Sequence, residues 1–244
     1  MKGHGNLPSA RDHEEKALDV ALGQSAIDKG DLEWDRNVSE ARIRMGDVLR
    51  AEGNLPAALD SYKAALAIRE RLTTADPGNA DWQRDLGASH YSIGTVLQAQ
   101  RNLPAALDSY KAALAIRERL TTADPGNADW QRDLATTRNN IGVVLRAQGN
   151  LPAALDSYKA ALAIRERLTT ADPGNADWQR DLAVSYGSVA AIEAQQGARD
   201  RALSSFQNGR DIIARLRAQS PDNAQLPKDL AWFEGQISSL SASR

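Results

Sequence analysis

An all-α solenoid of antiparallel helix pairs, about ten helices in all, is predicted by three observations. The stretch LPAALDSYKAALAIRERLTTADPGNADWQRDL stands unchanged at 55–86, 103–134 and 151–182. Trp34, Trp82, Trp130 and Trp178 recur every 48 residues, as do Tyr62, Tyr110, Tyr158 and Phe206. Within each period apolar residues are spaced by three and four, and no segment shows the period-two alternation of a strand. A repeat of this length is one hairpin that cannot bury its own apolar faces, whereas stacked neighbours can.

The elements follow in order. A lone helix at about 8–28 carries polar Glu14 where later periods carry tyrosine. Four helix pairs are expected at 32–75, 80–123, 128–171 and 176–219, and a last helix at about 225–242. The third copy shows the logic. Leu151, Ala154, Leu155, Tyr158, Ala161, Leu162, Ile164 and Leu168 form one wide apolar face. Asn150 is placed to cap that helix, and Pro152 sits in the first turn, where the backbone N–H groups have no helical partner. The run DPGN at 172–175 is a turn signal, with Asp first and Pro second. The other helix of a hairpin reads best at 129–148, through Trp130, Leu134, Ile141, Val144 and Leu145, and Gly149 closes it. Both connections are short, so neighbouring helices run antiparallel. The domain organisation expected is a capping segment at 1–31, four pairs over 32–219, and a closing segment at 220–244.

Composition removes several classes of function. Among 244 residues, 42% are hydrophobic and 25% charged, and the formal net charge is −2. Such balance supplies no broad positive field for nucleic acid and no polybasic patch for a membrane. With no cysteine, thiol catalysis, disulfides and zinc–thiolate sites are excluded, and a cytoplasmic location is expected. The N-terminal twenty residues hold no apolar core of a secretory signal, and no apolar run approaches the ~20 residues of a membrane span.

The residues also resemble the tetratricopeptide repeat family. Gly142, Gly149, Ala154, Tyr158 and Ala161 hold the small–Gly–Ala–aromatic–Ala places of its pattern; Gly94, Arg101, Ala106, Tyr110 and Ala113 hold them one period earlier, and Gly46, Gly53, Ala58, Tyr62 and Ala65 one earlier again. The family's usual Trp is missing, its place held by Arg42, His90 and Arg138. The usual period is about 34, and the usual helix-ending Pro is replaced by Glu70, Glu118 and Glu166, so the second helix runs on. In this the chain looks like the longer, kinesin-light-chain-like branch, whose phrase ALAIRE ends here at Glu70. The last segment, LPKDLAWFEGQISSL, resembles the solvating helix that closes such arrays.

The resemblance implies a right-handed superhelix whose first helices line a concave groove. It also implies a function: a non-catalytic protein–protein interaction scaffold, with a protein or peptide segment as partner and no cofactor. The sixteen residues that vary between copies fall on those first helices. The implied groove residues are Ile43, Tyr91 and Asn139, with Gly187 in the fourth pair; Asp47, Thr95 and Val143, with Ala191; and Arg50, Gln98 and Arg146, with Ala194. Arg50 and Arg146 are suited to gripping a carboxylate. The Lys/Asn set that clamps a terminal carboxylate in some members is absent. Variation concentrated where a ligand binds, upon an unchanging scaffold, is the reading favoured, with recent duplication or an idealised array as the alternative. Self-association through near-identical faces, giving a homo-oligomer, is the second functional expectation.

Other constellations carry no chemistry. His4, His13 and His90 lack a second ligand at metal spacing, and DPGNAD lacks the spacing and closing Glu of a calcium loop. Trp82, Trp130 and Trp178 are expected in the core between repeats and not as a base-stacking ladder. The alternating charges of IRER are expected on a solvated face. No serine has a nearby base to make it a nucleophile.

Overall fold

A computed structural model describes residues 7–28 and 30–242; His4 and Gly5, where the first copy of the repeat is read to begin, lie outside them. Ten α-helices are present among the described residues: α1 (Leu7–Ile27), α2 (Leu32–Ala51), α3 (Leu55–Ala75), α4 (Ala80–Ala99), α5 (Leu103–Ala123), α6 (Ala128–Ala147), α7 (Leu151–Ala171), α8 (Ala176–Gln195), α9 (Arg199–Gln219) and α10 (Leu226–Ala242). No strand occurs among those residues. The chain forms two compact units, Met1–Ala123 and Asp124–Arg244. In the first, each of α1 to α5 packs on the next in sequence, and in the second the same holds for α6 to α10. The all-α helical repeat read from the sequence is the fold observed.

The frozen residues set the helix ends. The Asn79, Asn127 and Asn175 side chains each accept from the backbone N–H three residues on, at 3.1 Å. In each DPGN turn the Gly N–H donates to the Asp carboxylate, also at 3.1 Å. Asn54 and Asn150 cap α3 and α7 in the same way. Helix α2 closes by donation from Gly53 to Arg50 and from Asn54 to Leu49, which needs a left-handed residue at 53. Gly53, Gly149 and Gly197 supply it with φ of 82°, 79° and 76°, but Arg101 does so as a non-glycine, at 62°. Left-handed backbone costs a residue with a Cβ about 1–2 kcal/mol. Arg101→Gly is therefore expected to raise stability by about 1 kcal/mol, read as a higher urea midpoint at unchanged slope.

Packing within a pair turns on one close contact. The Tyr62 ring lies so near α2 that a Cβ on Gly46 would stand 2.5 Å from it; the same holds for Gly94 against Tyr110 at 2.8 Å and Gly142 against Tyr158 at 2.7 Å. The second-helix tyrosine is buried in all three copies. Each apolar cluster draws on three successive helices: Met45, Tyr62 and Ile93 meet in one, and Ala183, Phe206 and Phe233 in another.

Two expectations are corrected here. The first arginine of IRER is not solvated: Arg69, Arg117 and Arg165 are 5–7% exposed. Arg69 donates to Ser39 on its own pair's first helix at 3.1 Å, and to Ser89 and the Asp85 carbonyl on the next first helix at 3.0 and 2.6 Å. Arg165 donates likewise to Ser185 and the Asp181 carbonyl. Burial lowers the Arg69 pKa from its ordinary value, opposed by the nearby Asp85 and Glu40 carboxylates. The second correction concerns the tryptophans. Only Trp82 is core; Trp130 and Trp178, in the same place of the first turn, are half-buried. Ion pairs join consecutive first helices within each unit: Arg36 with Asp85 at 3.1 Å, Arg132 with Asp181 at 3.2 Å and, onto the last helix, Arg180 with Asp229 at 2.8 Å.

Candidate functional site

The variable row divides by chemistry. In the first unit its polar members serve the buried tyrosines. The Tyr62 hydroxyl donates to Asp47 at 2.6 Å, and Arg50 lies 3.6 Å from the same carboxylate. Burial, then the Asp47 hydrogen bond, push the Tyr62 pKa upward. The Tyr110 hydroxyl donates to Gln98 at 2.9 Å and lies 3.3 Å from Thr95 Oγ1. Tyr91 is half-buried: its ring centroid is 5.6 Å from that of Tyr110, and the Arg117 guanidinium carbon is 4.9 Å from its own. Ile43 is half-buried on α2. Much of the polar capacity expected to face a ligand is thus used inside the fold.

The second unit differs at the same places. Val143 stands where Asp47 and Thr95 stood, offers the tyrosine no acceptor, and packs against the cluster around Tyr158. Arg146 is exposed and forms no ion pair among the described residues. Asn139 is half-buried, with its Oδ1 enclosed. On α8, Gly187 is buried, and Ala191 and Ala194 are half-buried.

A cleft of about 310 Å³ lies between α8 and α10, with Arg146 of α6 at its edge. Its apolar lining comes mainly from Val184, Gly187, Ala191, Trp232 and Phe233. Val184 and Trp232 remain 44% and 47% exposed, large apolar surfaces for a folded chain. Gly187 makes the cleft, since a Cβ there would stand 3.0 Å from the Trp232 ring. Trp232 is held edge-on by Phe233 and Phe206, at 4.9 and 5.8 Å between centroids. Asp229 also borders the cleft, but Arg180 and Gln225 already donate to it at 2.8 and 2.7 Å. The uncompensated charge at the cleft is the positive one of Arg146.

Sequence reasoning placed Arg146, Gly187 and Ala191 in the binding row and missed Val184 and Trp232. The signal was Trp232–Phe233: adjacent helical residues point about 100° apart, so one buried aromatic leaves the other outside. Among the described residues no group of three or more His, Cys, Asp or Glu is gathered as metal ligands, and no helix is long and apolar enough to cross a membrane.

Fold and cleft define a helical-hairpin repeat protein. The tetratricopeptide repeat model matches residues 87–121 and 134–169, and those two stretches carry the repeat. Among solved structures it is similar to BtubC (BKLC) from P. vanneervenii, with TM-score 0.64 and 15% identity over 96% of this chain and 89% of that one. It is also similar to the nearly identical TPR-like repeats of a Podosopora anserina protein described as a kinesin light chain, with TM-score 0.59 and 15% identity over 88% and 94%. The apo form of RapI aligns with TM-score 0.63 and 15% identity over 98% and 78%. At these identities the likeness is one of fold. No curated protein matches the sequence.

Proposed function

We propose that the chain is a non-catalytic, cytoplasmic scaffold that holds a peptide or protein segment, with the α8–α10 cleft as its anchor. The observation that carries this reading is the exposed, rigidly held Trp232 beside Arg146 in an apolar cleft. An aromatic in a preformed pocket buries large area at small entropic cost, which is how interface anchors earn their affinity. The segment it fits presents one apolar side chain to Val184, Ala191 and Trp232, and a carboxylate to Arg146. The rows Ile43, Asp47, Arg50 and Tyr91, Thr95, Gln98 in the first unit, and Asn139 and Val143 in the second, are proposed to give weaker contacts along the segment.

A peptide library displayed against the protein tests this. Selected sequences are expected to combine an apolar residue with Asp or Glu. Trp232→Ala is expected to weaken them at least tenfold, about 1.4 kcal/mol or more, with circular dichroism unchanged. Arg146→Ala is expected to abolish the preference for the acid. Selected peptides that bind both variants as well as the parent would refute the cleft as anchor.

A further inference from the structure

A second groove lies at the other end of the chain, between α1 and α2, with a volume of about 560 Å³. Among the described residues no helix covers it. The same groove one repeat later, between α3 and α4, is filled by α2. There Ser61 donates to the Arg42 carbonyl of α2 at 2.9 Å, Arg69 donates to Ser39, and Asp85 accepts from Arg36. Stepping back one period turns Ser61, Arg69 and Asp85 into His13, Ala21 and Asn37, all of which line the open groove. The open groove is therefore the seat of a first helix. Its apolar residues show the vacancy: Val20 is 64% exposed, whereas its equivalent Ile68 is half-buried and Ile116 and Ile164 are buried.

We propose that the occupant is α10 of a second copy, so that copies join head to tail. Helix α10 has the repeat phase of α2, four periods on. Lys228, Ala231, Glu234 and Ser238 take the places of Arg36, Ser39, Arg42 and Gly46, and all four are exposed. The substitutions at the two surfaces match one another. The Ser39–Arg69 hydrogen bond becomes Ala231 against Ala21, two small apolar groups. Gly46 against Tyr62 becomes Ser238 against Glu14. A Cβ in the glycine place strikes a tyrosine ring, as Gly46 shows, but Glu14 has no ring and is drawn aside by Arg44 at 3.0 Å. Charge agrees as well. Lys228 comes opposite Asn37, one turn from Glu40, and the Glu234 backbone carbonyl comes opposite His13, which brings residue 234 near Lys16 one turn away. The contact is heterologous, because a different surface is used by each copy, so one copy's groove and the next copy's α10 both remain free for further addition.

Sedimentation velocity on the whole chain tests this with two variants: Val20→Asp, which blocks the groove, and Ala231→Arg, which blocks α10. The parent is expected to associate progressively with concentration. Each variant alone is expected to stay monomeric with helicity retained, and an equal mixture to form one-to-one dimers and nothing larger. As a milder pair, Lys16→Glu and Glu234→Lys are each expected to weaken association about threefold, and to restore it when mixed or combined. A parent that stays monomeric at every concentration overturns the proposal. So does a mixture of the blocked variants that fails to dimerise, or either variant associating like the parent. Peptide capture at the α8–α10 cleft is read separately and does not decide the outcome.

Discussion

Arg69→Ala is expected to destabilise the first unit by about 3 kcal/mol, since each buried group left without its partner costs about 1–3 kcal/mol. The guanidinium is buried and joins three acceptors on two first helices: Ser39, Ser89 and the Asp85 carbonyl. Truncation leaves all three facing a cavity where a long side chain had been. The exposed neighbour Arg71, paired with Asp35 at 3.2 Å, supplies the control; its alanine variant should change stability by less than about 0.5 kcal/mol. Urea unfolding followed by circular dichroism measures both. If the two variants lose equal stability, the buried arginine is not what ties one pair to the next. The triple variant Arg69→Met, Ser39→Ala, Ser89→Ala should regain much of the loss, because of the three acceptors only the Asp85 carbonyl is then left without the arginine. The chain itself carries an apolar version of this junction: Ile213 and Phe233 stand in the places of Arg165 and Ser185, and both are buried.

Gly94→Ala is expected to cost about 2–3 kcal/mol, at the upper end for overpacking. The added methyl would stand 2.8 Å from the Tyr110 ring, which is itself 1% exposed and has nowhere to go. In a Tyr110→Leu background the same change should cost less than about 1 kcal/mol, so the two substitutions should be strongly non-additive. Gly235 is the control, because nothing lies within 4 Å of a Cβ built there; Gly235→Ala should stabilise α10 slightly, by up to about 1 kcal/mol. Equal losses at Gly94 and Gly235 would mean that backbone propensity, and not the tyrosine contact, fixes the glycine.

The helices were legible because period, caps and turns agree at every copy. Asn79, Asp76 and Tyr62 each announce a local rule that the fold then obeys. Burial of a charged side chain was not legible from its own neighbours. IRER looks like surface because arginine alternates with glutamate, and the clue lay twenty residues on, in Ser89, Thr137 and Ser185, three small polar residues that are buried. The contacts of the row expected to face a ligand were not legible from its positions. Asp47, Arg50, Thr95 and Gln98 stand where a ligand-facing row was expected, yet the tyrosine hydroxyl beneath them claims their hydrogen bonds. Only where Val143 withdraws that acceptor does the arginine of the row, Arg146, meet an apolar cleft. Trp232 was hidden in a helix read as solvating.

Amide hydrogen exchange on the parent, with and without a peptide selected against it, tests the proposed anchor most directly. Slowed exchange confined to 184–191 of α8 and 229–233 of α10, and lost in Trp232→Ala, is the predicted result. Protection that falls instead on α7 and α9, or that survives removal of the Trp232 side chain, would contradict it.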